Sequence, residues 1–489
     1  MNAPAPKFMI ESTWHGRIFN GGWKHALAGL NVLEPATGWV LTQVGNASAG
    51  DLAQAAAQAR AAQAEWAATP YEQRAAVLRK AAALLEEHQN EIAYWIMRET
   101  GGIGPKAGFE THMVANILHR SAAMITEPQG LMLPTDPGRI SMARRLPRGV
   151  IGVISPFNFP LILSARAVAP ALAVGNAVIV KPDPRTVLSG GYVLALLFEA
   201  AGLPRGVLQV LPGGADVGEA MCTDPNIAMI SFTGSSAAGR RVGEVAGRHL
   251  KKVQLELGGK NVVVVLDDAD LDGAASAIAF GAWFHQGQIC MTTGTVLAHA
   301  DVAAALTERL VAKANHLPVG DPASGKVALG PIISRGQIER IHGIVTDTVA
   351  AGATLAAGGT FEGPYYRPTV LTGVTTGMRS FREEVFGPVV SIVSVASDDE
   401  AVALANDNDY GLSAGVFSAS IARAMAIGNR LQTGLLHIND QTVADEPHVP
   451  FGGTGASGNG TRIGGPANWE EFTHWQWVTI KDRPAGYPF

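Results

Sequence analysis

The sequence predicts an α/β protein of two or three domains, on three observations. The chain has 489 residues, more than one hydrophobic core ordinarily supports. From residue 150 onward, short apolar runs alternate with helical stretches, the rhythm of buried parallel strands joined by helices. Hydrophobic residues make up 47% of the chain, enough to fill such cores.

The elements follow in order. Residues 51–66, DLAQAAAQARAAQAEW, read as a helix: alanine dominates, and Asp51 can cap it. TPYE at 69–72 signals a second helix, with Thr69 as N-cap, Pro70 in the first turn and Glu72 completing a capping box. This helix is expected to run to about Glu99 and stop before Gly101–Gly102. VIGVIS (150–155) then alternates with LILSARAVAPALAVG, and AVIVKP (177–182) with a helix through 187–201. VLQVLPG, IAMISFTG and the helical AAGRRVGEVAG complete the first series. NVVVVL (261–266) and a helix across 270–284 restart the pattern and mark a second α/β domain. The stretch 130–146 and WQWVTIKD (475–482) read as isolated strands.

Bulk properties narrow the function. A net charge of −5 gives no strong pull toward nucleic acid or anionic membrane. The basic clusters GRHLKK (247–252) and ARRLPR (143–148) are short and read as solvated edges. Two cysteines cannot form a disulfide framework, which points to a reducing compartment. MNAPAPKF lacks the features of a signal peptide, and no run of about 18 apolar residues occurs. The expectation is a cytoplasmic protein without nucleic-acid or membrane partners.

Three motifs fail on inspection. GTGASG (453–458) fits the dinucleotide fingerprint but lies too near the end for a βαβ unit. DADLDG (268–273) resembles a calcium loop, yet its twelfth position is Ala279, so its acids fit a helix start better. The 13 histidines show no ligand spacing, and no metal site is expected.

Other stretches carry chemistry. Most free cysteines are small buried hydrophobes, the reading given to Cys222. Cys290, in HQGQICMTTG, lies among Gly, Gln and Thr, which suit a flexible loop presenting a thiol. Glu256, in QLELGGK, ends an apolar run before two glycines, where a carboxylate can serve as general base or as a salt-bridged strand residue. Asn158, in PFNFP, is packed between aromatics and prolines, as a rigid oxyanion donor or a turn residue would be. SFTGSSAAG (231–239) joins a strand to a helix, either as an ordinary turn or as a phosphate site in which Gly234 frees the turn and Ser235 and Ser236 offer hydroxyls. Lys181, in IVKPDP, stands at the carboxyl end of a strand, where open α/β sheets bind ligands, or is a solvent-facing strand end.

Together PFNFP, Lys181–Pro182, FTGSSAAG, LELGGK, FHQGQIC, EEVFGPV (383–389) and PFGG…SG (450–458) resemble the NAD(P)-dependent aldehyde dehydrogenase superfamily in order and spacing. The resemblance covers essentially the whole chain. It implies a Rossmann-like cofactor domain (1–124 and 147–256), a catalytic domain (257–450) and a small β oligomerisation flap (125–146 and 470–489), in a homodimer or homotetramer. It implies Cys290 as nucleophile, Asn158 and the Cys290 N–H as oxyanion donors, and Glu256 as the base that activates water. Lys181 would bind the adenine-ribose hydroxyls and Ser235 the pyrophosphate, with Gly234 and Gly239 permitting the turn. Glu384 and Phe386 would hold the nicotinamide ribose and ring. NAD is the expected cofactor, with measurable NADP use, because Pro184 stands where NAD-preferring relatives often carry a carboxylate. A lysine is common where this chain has Gly455, and no role is assigned there.

WHGRIFNGGW, LPGGADVGE, HINDQTVADEPHVPFGGTGASGNG and PAGYPF resemble the benzaldehyde dehydrogenase branch, close to vanillin-type enzymes. The implied substrate is an aromatic aldehyde held by Phe157, Phe159, Ile162, Phe284 and Phe451. Arg166 borders the substrate tunnel in the family; a contact to a ring hydroxyl and a salt bridge both stay open. A CoA-acylating dehydrogenase would not need Glu256, and an inactive homologue would not need Asn158, Glu256 and Cys290 together.

Overall fold

The computed structural model describes residues 7–484 and 486–489. Most of MNAPAPKF, and the start of the expected first domain, lie outside the described residues. Two seven-stranded sheets dominate. In the first, Val150–Ile154 lies between Ala177–Lys181 and Ile227–Thr233; Leu208–Val210 extends one side and Lys252–Glu256 the other. These five strands are parallel, and a hairpin of Arg17–Phe19 and Trp23–His25 closes the edge. The chain moves outward from the central strand in one direction, then returns to its other flank. That reversal opens a crevice at the carboxyl ends of Val150–Ile154 and Ile227–Thr233, the place such sheets use for ligands.

The strands are apolar because both faces are covered. Ile179 and Ile230 pack on one side with Leu52, Ala55 and Val217. Val153, Val178 and Val180 pack on the other with Leu78, Val114 and Leu161. Successive residues thus serve opposite cores, as the two-residue period of a strand requires.

The second sheet runs through Thr369–Thr372, Val389–Val395, Thr293–His299, Asn261–Val265, Ser413–Phe417 and Leu435–Ile438, all parallel, with Thr354–Ala357 antiparallel at one edge. A separate antiparallel sheet joins Thr473–Ile480 to Ile140–Pro147 and Gly130–Met132.

Several local expectations change. The first helix expected from the sequence spans Ala49–Ala68, and its cap is Ser48, not Asp51. Ser48 Oγ accepts from Asp51 N at 3.2 Å while Asp51 Oδ2 accepts from Ser48 N at 2.8 Å, so Asp51 is the returning half of the capping box. Thr69 ends this helix instead of starting the next, its hydroxyl donating to Glu65 O at 3.0 Å. The second helix, Tyr71–Glu87, has no side-chain cap and breaks at His88 before Gln89–Thr100 begins. At the break, the His88 ring stacks on Phe8 and Glu91 accepts the Met9 N–H at 2.7 Å, so the N-terminal segment is anchored there. The stop at Gly101 is the expected left-handed cap, φ +68°. Asp270 caps Leu271–Trp283, the helix-start role expected of DADLDG.

Ser48→Ala removes half of the capping box on the longest alanine-rich helix. Urea unfolding is expected to show a loss of about 1 kcal/mol.

Candidate active site

Five chain segments converge at the crevice between the two large sheets. Asn158 follows the central strand of the first sheet, and Glu256 ends the edge strand Lys252–Glu256. Cys290 sits in the loop that enters Thr293–His299 of the second sheet. The segments holding Glu384 and Phe451 complete the wall.

The Cys290 loop is rigid, not flexible as its composition suggested. His285, Gln286 and Gly287 take consecutive left-handed conformations, φ 49°, 56° and 65°. Such residues cost about 1–3 kcal/mol each when not glycine and persist only where surroundings impose them. The surroundings do. Gln286 Nε2 donates to Gly101 O and Pro331 O, and Thr292 Oγ1 donates to Gly287 O. Asn261 Nδ2 donates to Cys290 O at 2.8 Å and Thr292 O at 2.9 Å. A Cβ at Gly287 would meet Gly387 O at 2.2 Å, and one at Gly259 would meet Cys290 O at 2.3 Å. The Cys290 N–H itself makes no hydrogen bond among the described residues.

Asn158 is buried, and its Nδ2 donates one hydrogen to Gln288 O at 2.9 Å. The other amide hydrogen stays available to the cavity that Asn158 and Cys290 line together. That cavity holds about 480 Å³, within the usual range for small-ligand sites. Phe159, Ile162, Phe284 and Phe451 line it as expected, joined by Phe109 and Phe280, which the sequence reading missed. Phe280 stacks on Phe284 at 4.7 Å one helical turn away, so the i, i+4 spacing was the available signal.

Phe157 is a correction. It does not line this cavity; its ring meets Phe386 edge-on at 5.9 Å, with the Arg185 guanidinium 4.2 Å from its centroid. It stands on the Glu384–Phe386 side of the crevice because Phe157 and Phe159 point to opposite sides of Asn158. Arg166 does line the cavity, and its Nη2 donates to both oxygens of Asp445 at 2.8 and 2.6 Å, so the salt bridge is formed. Asp445 carried no signal in the sequence.

Burial dominates the electrostatics. It pushes the Cys290 thiol up to about 12, reinforced by Glu384, Glu256 and Asp445 and opposed by Arg166. Burial raises Glu256 to about 8, opposed by the hydrogen bond from Gln254 and by Arg166 and Arg462. Glu256 Oε2 is buried without a partner. Glu384 is raised to about 7 by burial while its Oε1 accepts from Gly259 N at 2.9 Å. A Cβ at Gly258 would lie 2.3 Å from the Glu384 carboxylate, so this glycine gives room for an acid.

A second cavity, about 350 Å³, opens beyond the carboxyl end of Ala177–Lys181 and is lined by Lys181, Pro184, Phe232 and Val242. The Lys181 ammonium makes no hydrogen bond among the described residues, and burial lowers its pKa. Cys222 is buried, as expected, but lines this cavity too. Ser235 caps the helix Ser236–Arg248, accepting from Ala238 N. Gly234 and Gly239 do not serve turn freedom: neither has positive φ. Side chains there would meet Phe232 at 2.6 Å and Leu257 at 2.3 Å, so close packing requires them. The GTGASG stretch braces the Glu256 strand, Ser457 O accepting from Leu257 N at 2.9 Å. Gly455 has φ +59° and its Cβ would meet Asp409 O at 2.4 Å, which excludes the lysine common there.

The aldehyde dehydrogenase family model matches residues 23–478. The chain belongs to the aldehyde dehydrogenase family. A vanillin dehydrogenase of Amycolatopsis sp. is 54% identical over 484 residues, 99% of this chain and 100% of the relative. A benzaldehyde dehydrogenase [NAD(+)] of Pseudomonas putida is 49% identical, over 98% of this chain and 99% of the relative. The crystal structure of a salicylaldehyde dehydrogenase from Pseudomonas putida G7, complexed with salicylaldehyde, superposes with a TM-score of 0.94 at 35% identity, covering 97% of this chain and 99% of that one.

For this aldehyde dehydrogenase family member, the raised pKa of Glu256 is a stability statement. The folded chain keeps the proton up to about pH 8, whereas an unfolded carboxyl releases it near 4.5. Between those values the unfolded state binds fewer protons, so this residue makes stability fall as pH rises. Glu256→Gln removes the titration. Its melting-temperature advantage over wild type is expected to widen from pH 5 to about pH 8 and then level off; a constant gap across that range would refute the shift.

Proposed function

We propose that this chain oxidises an aromatic aldehyde of benzaldehyde type to the carboxylic acid, with NAD as hydride acceptor and Cys290 as nucleophile. The observation that carries this reading is the 480 Å³ cavity, walled by phenyl rings, onto which Cys290 and Asn158 both open. Edge-to-face or stacked contacts to a flat substrate add about 0.5–1.5 kcal/mol each beyond area burial. Relatives named for vanillin and benzaldehyde, and a structural neighbour holding salicylaldehyde, support the same class.

The steps follow from the groups present. Cys290 gives up its thiol proton to solvent, its Sγ attacks the aldehyde carbon, and the carbonyl oxygen takes the negative charge. The free Asn158 amide hydrogen and the unengaged Cys290 N–H are the donors for that oxygen. The tetrahedral thiohemiacetal loses hydride readily where a free aldehyde does not. When bound, the nicotinamide supplies the acceptor for that hydride. A thioester on Cys290 remains. Glu256, with its unpartnered Oε2, takes a proton from water, which attacks the thioester and releases the acid and the Cys290 thiol. A route to CoA would leave that base without work.

The residues fit the cofactor. The Lys181 ammonium, without a hydrogen bond among the described residues, is suited to ribose hydroxyls beside the apolar Phe232 and Val242. The Ser236–Arg248 N-terminus, with Gly234 and Ser235, suits the pyrophosphate, and Glu384 and Phe386 the nicotinamide ribose and ring. The related betaine aldehyde dehydrogenase of Staphylococcus aureus, TM-score 0.94 at 28% identity over 99% of both chains, is a complex with NAD+. Because Pro184 lines the adenosine cavity where a carboxylate would repel a 2′-phosphate, NADP is used as well, less efficiently. The reading extends to a cytoplasmic homodimer or homotetramer. Both cysteines are free, and Leu131, Met132 and Trp477 expose apolar surface on the three-stranded sheet.

Cys290→Ala is expected to abolish NADH formation while NAD still binds by calorimetry, and Cys222→Ala to leave turnover largely intact. Near-normal activity of the first variant would sink the mechanism. The substrate class is tested by kcat/KM for benzaldehyde, vanillin, hexanal, glyceraldehyde and succinic semialdehyde, with NAD and again with NADP. Aromatic aldehydes are expected to lead. An aliphatic or carboxylated aldehyde ahead by about tenfold, roughly 1.4 kcal/mol of transition-state preference, would reverse the assignment.

A further inference from the structure

The helix Gly104–Met124 carries a buried ion pair that takes no direct part in this chemistry. Lys106 and Glu110, one turn apart, are fully buried, with ammonium and carboxylate in contact. Burying such a pair is rarely the most stable solution, since apolar side chains of similar volume often serve as well. Its neighbours supply a reason for it. Glu110 Oε2 accepts from Leu161 N at 3.1 Å and Ile162 N at 3.4 Å. These belong to the first turn of Pro160–Ala173, whose N-cap, Phe159, has no side chain able to accept. A carboxylate from another helix therefore fixes where this one begins, within four residues of Asn158.

Lys106 reaches the other arm. Its Nζ lies 4.5 Å from the Phe159 ring centroid. That ring meets His285 edge-on at 5.3 Å, in the strained turn before Cys290. Lys106 and His285 also crowd Gly102 together: a Cβ there would lie 2.8 Å from Lys106 Cδ and 3.3 Å from His285 Nδ1. One ion pair thus touches both the Asn158 segment and the Cys290 loop, which Asn158 Nδ2 itself bridges through Gln288 O.

The geometry points to Lys106–Glu110 as the positioning pair that sets Asn158 and Phe159 against Cys290, an inference that rests on the aldehyde-oxidising reading of the site. Glu110 anchors the first helical turn so that the Asn158 amide reaches Gln288 O and the cavity at once. Lys106 neutralises Glu110 and holds the Phe159 ring, whose other side is cavity wall. The carboxylate suits the task because one oxygen faces the ammonium while the other serves two N–H groups.

The test uses the full-length protein with NAD. Lys106→Met with Glu110→Leu removes the pair without stranding a charge; Lys106→Met with Glu110→Gln keeps an acceptor for the helix N–H groups. Single-turnover NADH formation is followed with enzyme in excess over benzaldehyde, alongside NAD affinity and thermal melting. Wild type that forms no NADH would remove the underlying reading, not this inference. With wild type active, hydride transfer in the leucine variant is expected to slow about tenfold or more at unchanged NAD affinity. The glutamine variant is expected at an intermediate rate. Should the leucine variant not fold, the glutamine variant decides. Wild-type rates with only a lowered melting temperature, or a parallel loss of NAD affinity, would overturn the proposal by showing a merely structural pair.

Discussion

Desolvation of the titratable groups in the crevice is the constraint on which the rest of this molecule turns. Cys290, Glu256 and Glu384 all lie in one crevice with their pKa values pushed up, and Lys260, just beyond Glu256, is pushed down to about 7. Each is less willing to carry charge than it would be in water. That withholding is useful. A thiol that keeps its proton is protected until a substrate arrives, and a carboxylate poised near 8 is a better base than one near 4. It also costs stability, because Glu256 Oε2 and Lys260 Nζ are buried without hydrogen-bond partners among the described residues. The large apolar cores under both sheets supply the surplus that holds these groups in place.

The same surplus holds the Cys290 turn in its strained form. Three left-handed residues in succession would relax if the loop were free. Side-chain amides of Asn158 and Asn261 grip its carbonyls, the Gln286 amide ties it to Gly101 O and Pro331 O, and glycines at 259 and 287 let neighbouring backbone approach. The strain and the pinning serve one geometric end. The Cys290 N–H is left without a partner among the described residues while the carbonyls of Gln288 through Thr292 each accept a hydrogen bond, and the Asn158 amide opens onto the same cavity.

Much of this was legible in the sequence, for reasons that differ by residue. Strands such as AVIVK and VIGVI were readable because full burial on both faces leaves no polar alternative. Cys290, Glu256 and Asn158 stood out because polar residues in apolar or glycine-rich runs need explanation. Helix ends were less legible. Thr69, Pro70 and Glu72 form a sound start signal, yet the preceding helix uses Thr69 as its end, and local propensity cannot rank two helices competing for one residue. Gly234 and Gly239 were read as turn glycines, but only packing against Phe232 and Leu257 reveals their purpose. Lys106, Glu110 and Asp445 were invisible, since each looks like a solvated charge until its partner is placed beside it.

Asp445 shows how such a hidden partner shapes the site. An arginine lining an aromatic cavity would grip a carboxylate product through parallel hydrogen bonds, which are among the strongest polar contacts proteins make. Benzoate, the product of the proposed reaction, would then leave slowly. Here Arg166 Nη2 is already engaged by both Asp445 oxygens, which leaves the buried Nη1 as the donor without a partner among the described residues. The Asp445 charge beside it opposes a second carboxylate. Yet Arg166 still opposes the rise in pKa of both Cys290 and Glu256, the proposed nucleophile and base. Its guanidinium also covers the Phe451 ring at 4.9 Å, fixing that wall of the cavity. The pair therefore keeps the electrostatic and packing contributions of an arginine while the Asp445 charge weakens its affinity for the acid that the proposed reaction makes.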